Sequence, residues 1–140
     1  MAYKQDLKIA ARRHLRAAQE LYDHTGAGAQ PGCRAVAGYL FGLAGELAIK
    51  ELMRGSGMVP LSPEERRDDP FFAHFPALKG MLGTVQGRRA GELRQFLGDP
   101  RLFQNWDTAM RYAPTGDIDP DWVAGWKASA EKLVDRMAIA

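Results

Sequence analysis

Apolar residues recur at spacings of three and four along most of this chain, and no segment shows the strict alternation of a half-buried strand. In the first segment Leu7, Ala11, His14, Ala18 and Leu21 fall on one stripe, while Lys8, Arg12, Arg16 and Glu20 lie on other faces. This pattern predicts a surface amphipathic helix of about 20 residues. Residues 23–32, "DHTGAGAQPG", read as a glycine-rich loop, with Pro31 suited to the first turn of the next helix. That second helix, over 32–54, is apolar nearly all round through its middle, as the central member of a bundle would be. Ala35, Gly38, Gly42 and Gly45 share one of its sides. Glycine inside a helix costs about 1 kcal/mol relative to alanine. The stripe therefore predicts close approach of another backbone, from a neighbouring helix or from a partner subunit.

Residues 55–75 form the longest irregular connection, with prolines at 60, 63 and 70. "PALKGMLGTVQG" and "RRAGELRQFLGD" follow as two short helices broken at Gly87. "DPRLFQNWDTAMRYA" predicts a further amphipathic helix through Trp106 and Met110, with Asp99 as N-cap, Pro100 at its first position and a stop at Pro114. The Asp-Pro device recurs at Asp119 and Pro120, opening a last helix whose stripe is Trp122, Trp126, Ser129, Leu133 and Met137. The expectation is one all-α domain over 1–140, an antiparallel up-and-down bundle of four to five helices.

Composition changes this picture little. The chain has 140 residues, is 46% hydrophobic and carries a formal charge of only +2, so a nucleic-acid partner is permitted but not demanded. Its single cysteine, Cys33, has no internal partner for a disulfide, which fits a reducing compartment. The first twenty residues lack the apolar core of a secretory signal, and the apolar stretch 35–45 runs straight into Glu46, short of the roughly 20 residues of a membrane span. A cytoplasmic protein without membrane contact is expected.

Candidate chemistry is sparse. Histidines 14, 24 and 74 and Cys33 have no metal-ligand spacing, and no metal or other cofactor is expected. Glu46 interrupts the apolar middle of the second helix one turn before Lys50. A buried carboxylate requires a partner, here Lys50 at i,i+4 or His14 across a helix interface; the alternative is a polar cavity. His74, in "FFAHFPALK", sits among phenylalanines as a cap or packing residue. Arg111 and Tyr112, ending the segment "QNWDTAMRY", have two readings. Arg111 forms a surface ion pair with Asp107, or the two present a guanidinium and a phenol to a phosphate or carboxylate. Lys4, Lys8, Arg12, Arg13 and Arg16, with Arg88, Arg89 and Arg94, form either a basic patch or ordinary solvated faces.

The order "AARRHLRAAQELY", "AVAGYLFGLAGELAIKELM", "HFPALKGML" and "FQNWDTAMRY", with a final amphipathic helix, resembles the HEPN-domain proteins (higher eukaryotes and prokaryotes nucleotide-binding) over about residues 3–137. The resemblance implies an antiparallel helical bundle, a homodimer, a small nucleotidyltransferase as partner, and a role in toxin–antitoxin, defence or nucleotide binding. Active members of that family are metal-independent ribonucleases with an arginine followed, four to six residues on, by a histidine. Arg111 stands where that arginine would, but no histidine follows it in this chain; the literal spacing occurs only between Arg67 and His74, in the connection before the third helix. The resemblance thus implies a non-catalytic module that binds a nucleotide, an RNA end or the transferase. Arg111 and Tyr112 would contact the anion, with Glu46, Lys50 and His74 nearby. The alternatives are a divergent ribonuclease toxin and a purely structural oligomerisation protein. The sequence leaves open whether a dimer forms through helix two or the C-terminal helix.

Overall fold

A computed structural model describes residues 3–27, 31–82 and 90–139, and every regular element among them is helical. Three long helices form the frame: α1 (Leu7–Asp23), α2 (Gly32–Gly55) and, at the end of the chain, α5 (Pro120–Ile139). Between α2 and α5 lie two short helices, α3 (Ala77–Met81) and α4 (Ala90–Leu97), with 3-10 turns at Pro63–Asp68, Pro70–Phe72, Thr108–Tyr112 and Thr115–Asp117. The predicted break at Gly87 lies outside the described residues.

Side-chain pairs fix the directions of the rods. Tyr22, at the end of α1, accepts a hydrogen bond from Arg34 Nε on its carbonyl and sets its ring edge-on against Phe41, so α1 and α2 are antiparallel. Gln19 donates to Glu131 at 2.9 Å, and the Lys127 ammonium lies over the Tyr22 ring, so α5 also runs against α1 and therefore along α2. Two long helices pointing the same way need a return path between them, and residues 56–119 supply it in short pieces rather than as one rod.

Local chemistry starts α1 and α5. Asp6 accepts from the Ile9 amide to cap α1, and Asp119 accepts from the Asp121 amide ahead of α5. The inner stripe of α1 is narrower than expected: Ala11 and Ala18 are fully buried, while His14 is half-buried and spends Nδ1 on the carbonyl of Ala10, one turn back. On α5 the buried residues are Val123, Trp126, Ala130, Leu133, Val134 and Met137. The expected stripe is thus turned, leaving Trp122 37% exposed. At 24 residues α2 is long and apolar enough to cross a membrane by length and composition, since it continues past the apolar stretch at both ends; half of the relevant window is buried by the rest of the chain.

The glycine stripe of α2 receives rings, not a second backbone or a partner subunit. A Cβ at Gly42 would overlap the indole of Trp106, one at Gly45 would overlap the ring of Phe103, and one at Gly38 would stand 2.9 Å from the ring of Trp126. Trp106 Nε1 donates to the carbonyl of Gly38 at 3.1 Å, and Trp126 Nε1 donates to the carbonyl of Gln104 at 2.8 Å. Phe75 stacks on Phe103, with centroids 4.8 Å apart, and meets Trp106 edge-on.

This packing explains why the helix expected over 99–113 does not form. Phe103 and Asn105 adopt left-handed backbone, with φ of 50° and 69°, and the chain turns through 100–105. Carbonyls that a helix would use are taken by side chains: Lys79 Nζ holds those of Asp99 and Leu102, and Trp126 holds that of Gln104. Asp99 caps a turn by accepting from the Arg101 amide, and Asp107 starts the 3-10 turn by accepting from that of Ala109. Helix axes pack 8–10 Å apart; irregular turns let Phe103 and Trp106 press onto the α2 backbone itself.

Gly42→Ala should lower folding stability by about 2 kcal/mol, because overpacking outweighs the helix-propensity gain. Gly125→Ala, in α5 with nothing within 4 Å of the added carbon, should raise it by up to about 1 kcal/mol. Urea denaturation of both variants checks the contrast; equal effects would mean the Trp106 ring does not need the notch.

Candidate functional site

The five candidate residues separate into two places along α2. Tyr39 and Glu46, seven residues apart, mark them, a separation of about 10 Å along the helix axis.

At the lower place Glu46 is 2% exposed. Its hydrogen bonds go to neither Lys50 nor His14. Oε2 lies 2.8 Å from Nδ1 of His74, and Oε1 accepts the Phe75 amide at 2.7 Å. Residues 74 and 75 reach the carboxylate because Phe75 is held in the ring stack on α2; the peptide that follows, Phe75–Pro76, is cis. The His74 side chain is 55% exposed, so the pair joins a sunken acid to a solvent-facing imidazole.

Lys50, also buried, feels the charges of Glu46 and Asp69 without a hydrogen bond to any described residue. Asp69 is 1% exposed and accepts the amides of Leu61 and Phe71, tying down the connection after α2. Nothing in the candidate set anticipated Asp69, although it precedes Pro70 in the same Asp-Pro pairing as residues 99–100 and 119–120. Burial raises the Glu46 pKa above the usual carboxylate range, against the opposing hydrogen bonds from His74 and the Phe75 amide and the attraction of Lys50. Burial likewise lowers that of Lys50, against the attraction of Glu46 and Asp69. Among the described residues no three His, Cys, Asp or Glu side chains are grouped to hold a metal.

At the upper place a cleft of about 260 Å³ opens between the start of α2 and the turns near residue 112, lined by Gly32, Ala35, Val36, Tyr39, Met110, Arg111, Ala113, Thr115 and Ile118. Its floor is firm because Tyr39 stacks on Trp106 at 5.6 Å and nearly parallel. Arg111 is exposed on the 3-10 turn, and its Nε donates to the Thr108 carbonyl at 3.0 Å. Its guanidinium lies 5.7 Å from the Tyr39 ring centre and 5.1 Å from that of Tyr112. The ion pair with Asp107 does not form; that carboxylate is the cap of the turn. Tyr112, 81% exposed, stands outside the cleft lining. Tyr39, which the candidate set omits, is the aromatic wall; in sequence it is one more apolar position of α2. Neither Glu46, Lys50 nor His74 lines this cleft.

Of the basic residues, Arg12, Arg13 and Arg16 gather on one exposed face of α1, whereas Arg88 and Arg89 lie outside the described residues. Compared with protein-family models, curated proteins and solved structures, the chain matches none.

Glu46→Ala leaves the buried Phe75 amide without an acceptor and should cost about 2–3 kcal/mol, whereas Glu46→Gln keeps an oxygen there and should cost under about 1 kcal/mol. A raised folded pKa means that the fold favours the protonated acid. Its contribution is complete below the ordinary glutamate value, about 4.3, and is lost as pH rises through the higher folded value. The stability of the natural chain relative to Glu46→Gln should therefore fall from pH 4 towards neutrality. Denaturation curves across that range measure it, and a difference that grows with pH would reverse the assignment.

Proposed function

We propose that the chain is a non-catalytic binding module of HEPN-like up-and-down architecture whose cleft beside Tyr39 takes a nucleotide, either free or at the end of an RNA. The observation that carries this reading is Arg111. Its guanidinium is exposed at an aromatic-walled cleft, anchored through Nε, and has no carboxylate partner among the described residues. An anchored guanidinium retains donors in fork geometry suited to phosphate. The Tyr39 face and the apolar edges of Val36 and Ile118 suit a base or ribose. The volume lies just below the roughly 300–1,000 Å³ usual for ligand sites, which favours one nucleotide over a longer stretch.

A nucleotidyltransferase partner and a cytoplasmic setting, both implied by the family resemblance, belong to the same reading. The ribonuclease alternative is weaker, because the solvent-facing imidazole of His74 is paired with Glu46 and no histidine lines the Arg111 cleft. Phenols, with ordinary pKa values near 10, are poor proton acceptors at neutral pH.

A panel of nucleoside mono-, di- and triphosphates, followed by thermal melting, tests the proposal. At a hundred times Kd a ligand adds about 2.7 kcal/mol, a rise of several degrees. Arg111→Ala should abolish that rise with its own melting point within a degree or two of the natural chain. No rise with any nucleotide or with a short single-stranded RNA would end this reading, and RNA cleavage without metal would replace it with the enzymatic one.

A further inference from the structure

The outward face of α1 carries Arg12, Arg13 and Arg16 around a shallow hollow floored by Ile9, which is 56% exposed. None of the three guanidiniums pairs with an acid among the described residues, and Glu20, one turn beyond Arg16, forms no bridge to it. Three unpaired cations beside a large exposed aliphatic residue suit a partner that offers both carboxylates and apolar surface. A bare phosphate strand would use the charges and leave Ile9 wet.

The chain itself presents the complement. Residues 117–122 read "DIDPDW", and Asp117 and Asp121 are exposed beside Trp122 at the start of α5. Neither acid is paired with a cation among the described residues, and the carboxylate of Asp119 between them is occupied as the helix cap. Both surfaces thus have charges of opposite sign flanking one exposed apolar side chain.

We infer that the arginine face of α1 docks on residues 117–122 of a second copy of the chain. In a two-fold dimer this contact occurs twice, each copy giving its basic face and receiving on its acidic turn. Arg fits such a contact because its fork binds carboxylates while its plane and stem pack against an indole. The interface then lies on α1 and the start of α5, leaving the glycine side of α2 to the internal rings. The inference goes beyond the nucleotide reading and does not rest on it: Thr115 borders the cleft from the neighbouring turn and Ile118, within the acidic segment, also lines it, but dimerisation requires no ligand.

Charge reversal tests it, read by sedimentation equilibrium at low and high salt. The natural chain should dimerise and weaken as salt screens the contact. Arg12→Glu with Arg16→Glu should give a folded monomer, and so should Asp117→Lys with Asp121→Lys. All four substitutions in one chain should restore the dimer, and mixing the two double variants should restore association through both contacts, since each face then meets a turn of opposite charge. Circular dichroism separates loss of association from loss of fold, and if a double variant unfolds, the single changes Arg13→Glu and Asp117→Lys carry the same comparison. A natural chain that is monomeric at 100 µM, or a dimer indifferent to both reversals, overturns the inference. Binding of single-stranded RNA that depends on these arginines, without salt-sensitive self-association, assigns the face to nucleic acid instead. Nucleotide binding through Arg111 is measured separately on the same variants, so either conclusion can fail while the other stands.

Discussion

The fold depends on rings seated on bare helix backbone. Where α2 carries Gly38, Gly42 and Gly45, the rings of Trp126, Trp106 and Phe103 occupy the space a methyl group would need. Each ring adds a large buried apolar area at a point where the helix gives up propensity, and the exchange favours burial: a fully buried side chain of this size is worth about 1.5–3 kcal/mol, against about 1 kcal/mol for the glycine. Trp106 and Trp126 also find acceptors for their N–H groups, so neither indole is buried at the expense of a lost hydrogen bond. With those rings seated, the return path has one route, up the side of α2 from Glu46 towards Tyr39.

That constraint marks how far the residues alone could be read. Helical periodicity located α1, α2 and α5 closely, because long amphipathic or uniformly apolar runs carry their own signal. The glycine stripe announced that something must approach closely, but glycine spacing is silent on whether a backbone or a side chain comes. The segment through Trp106 and Met110 has helical spacing and an Asp-Pro start, yet its backbone hydrogen bonds are diverted by Lys79 and Trp126, residues 20 to 23 positions away. Local propensity cannot register such competition. On α5 the error was only rotational, since Trp122 and Val123 are both apolar and only the neighbouring helix decides which one turns inward.

The buried carboxylate follows the same logic. An acid inside the apolar run of α2 had to be satisfied, and that much followed from Glu46 alone. Lys50 at i,i+4 was the nearest candidate by helix geometry, but both side chains are buried and the lysine donates no hydrogen bond to the acid. His74 and the Phe75 amide reach it from 28 and 29 residues away, because Phe75 is already fixed in the ring stack. The apolar packing thus delivers the polar contact. Arg111 was legible as an exposed cation at the end of a segment, but not its wall, since Tyr39 faces the cleft only once Trp106 is seated behind it.

The two polar places are therefore not independent, although they lie about two helical turns apart. The Phe75 amide is bound by Glu46, the Phe75 ring meets Trp106 edge-on, Trp106 stacks on Tyr39, and Tyr39 lies beneath Arg111. Each member is a packed ring with few alternative rotamers, so the chain of contacts acts as a brace. A cleft wall braced in this way loses little conformational freedom when a ligand arrives, and less of the interaction energy is spent on ordering it. A lysine or a mobile loop at the same position would have to be ordered first. The buried acid and the exposed guanidinium, about two turns apart along α2, are thus parts of one rigid assembly, with the glycine-seated indole of Trp106 as its common support.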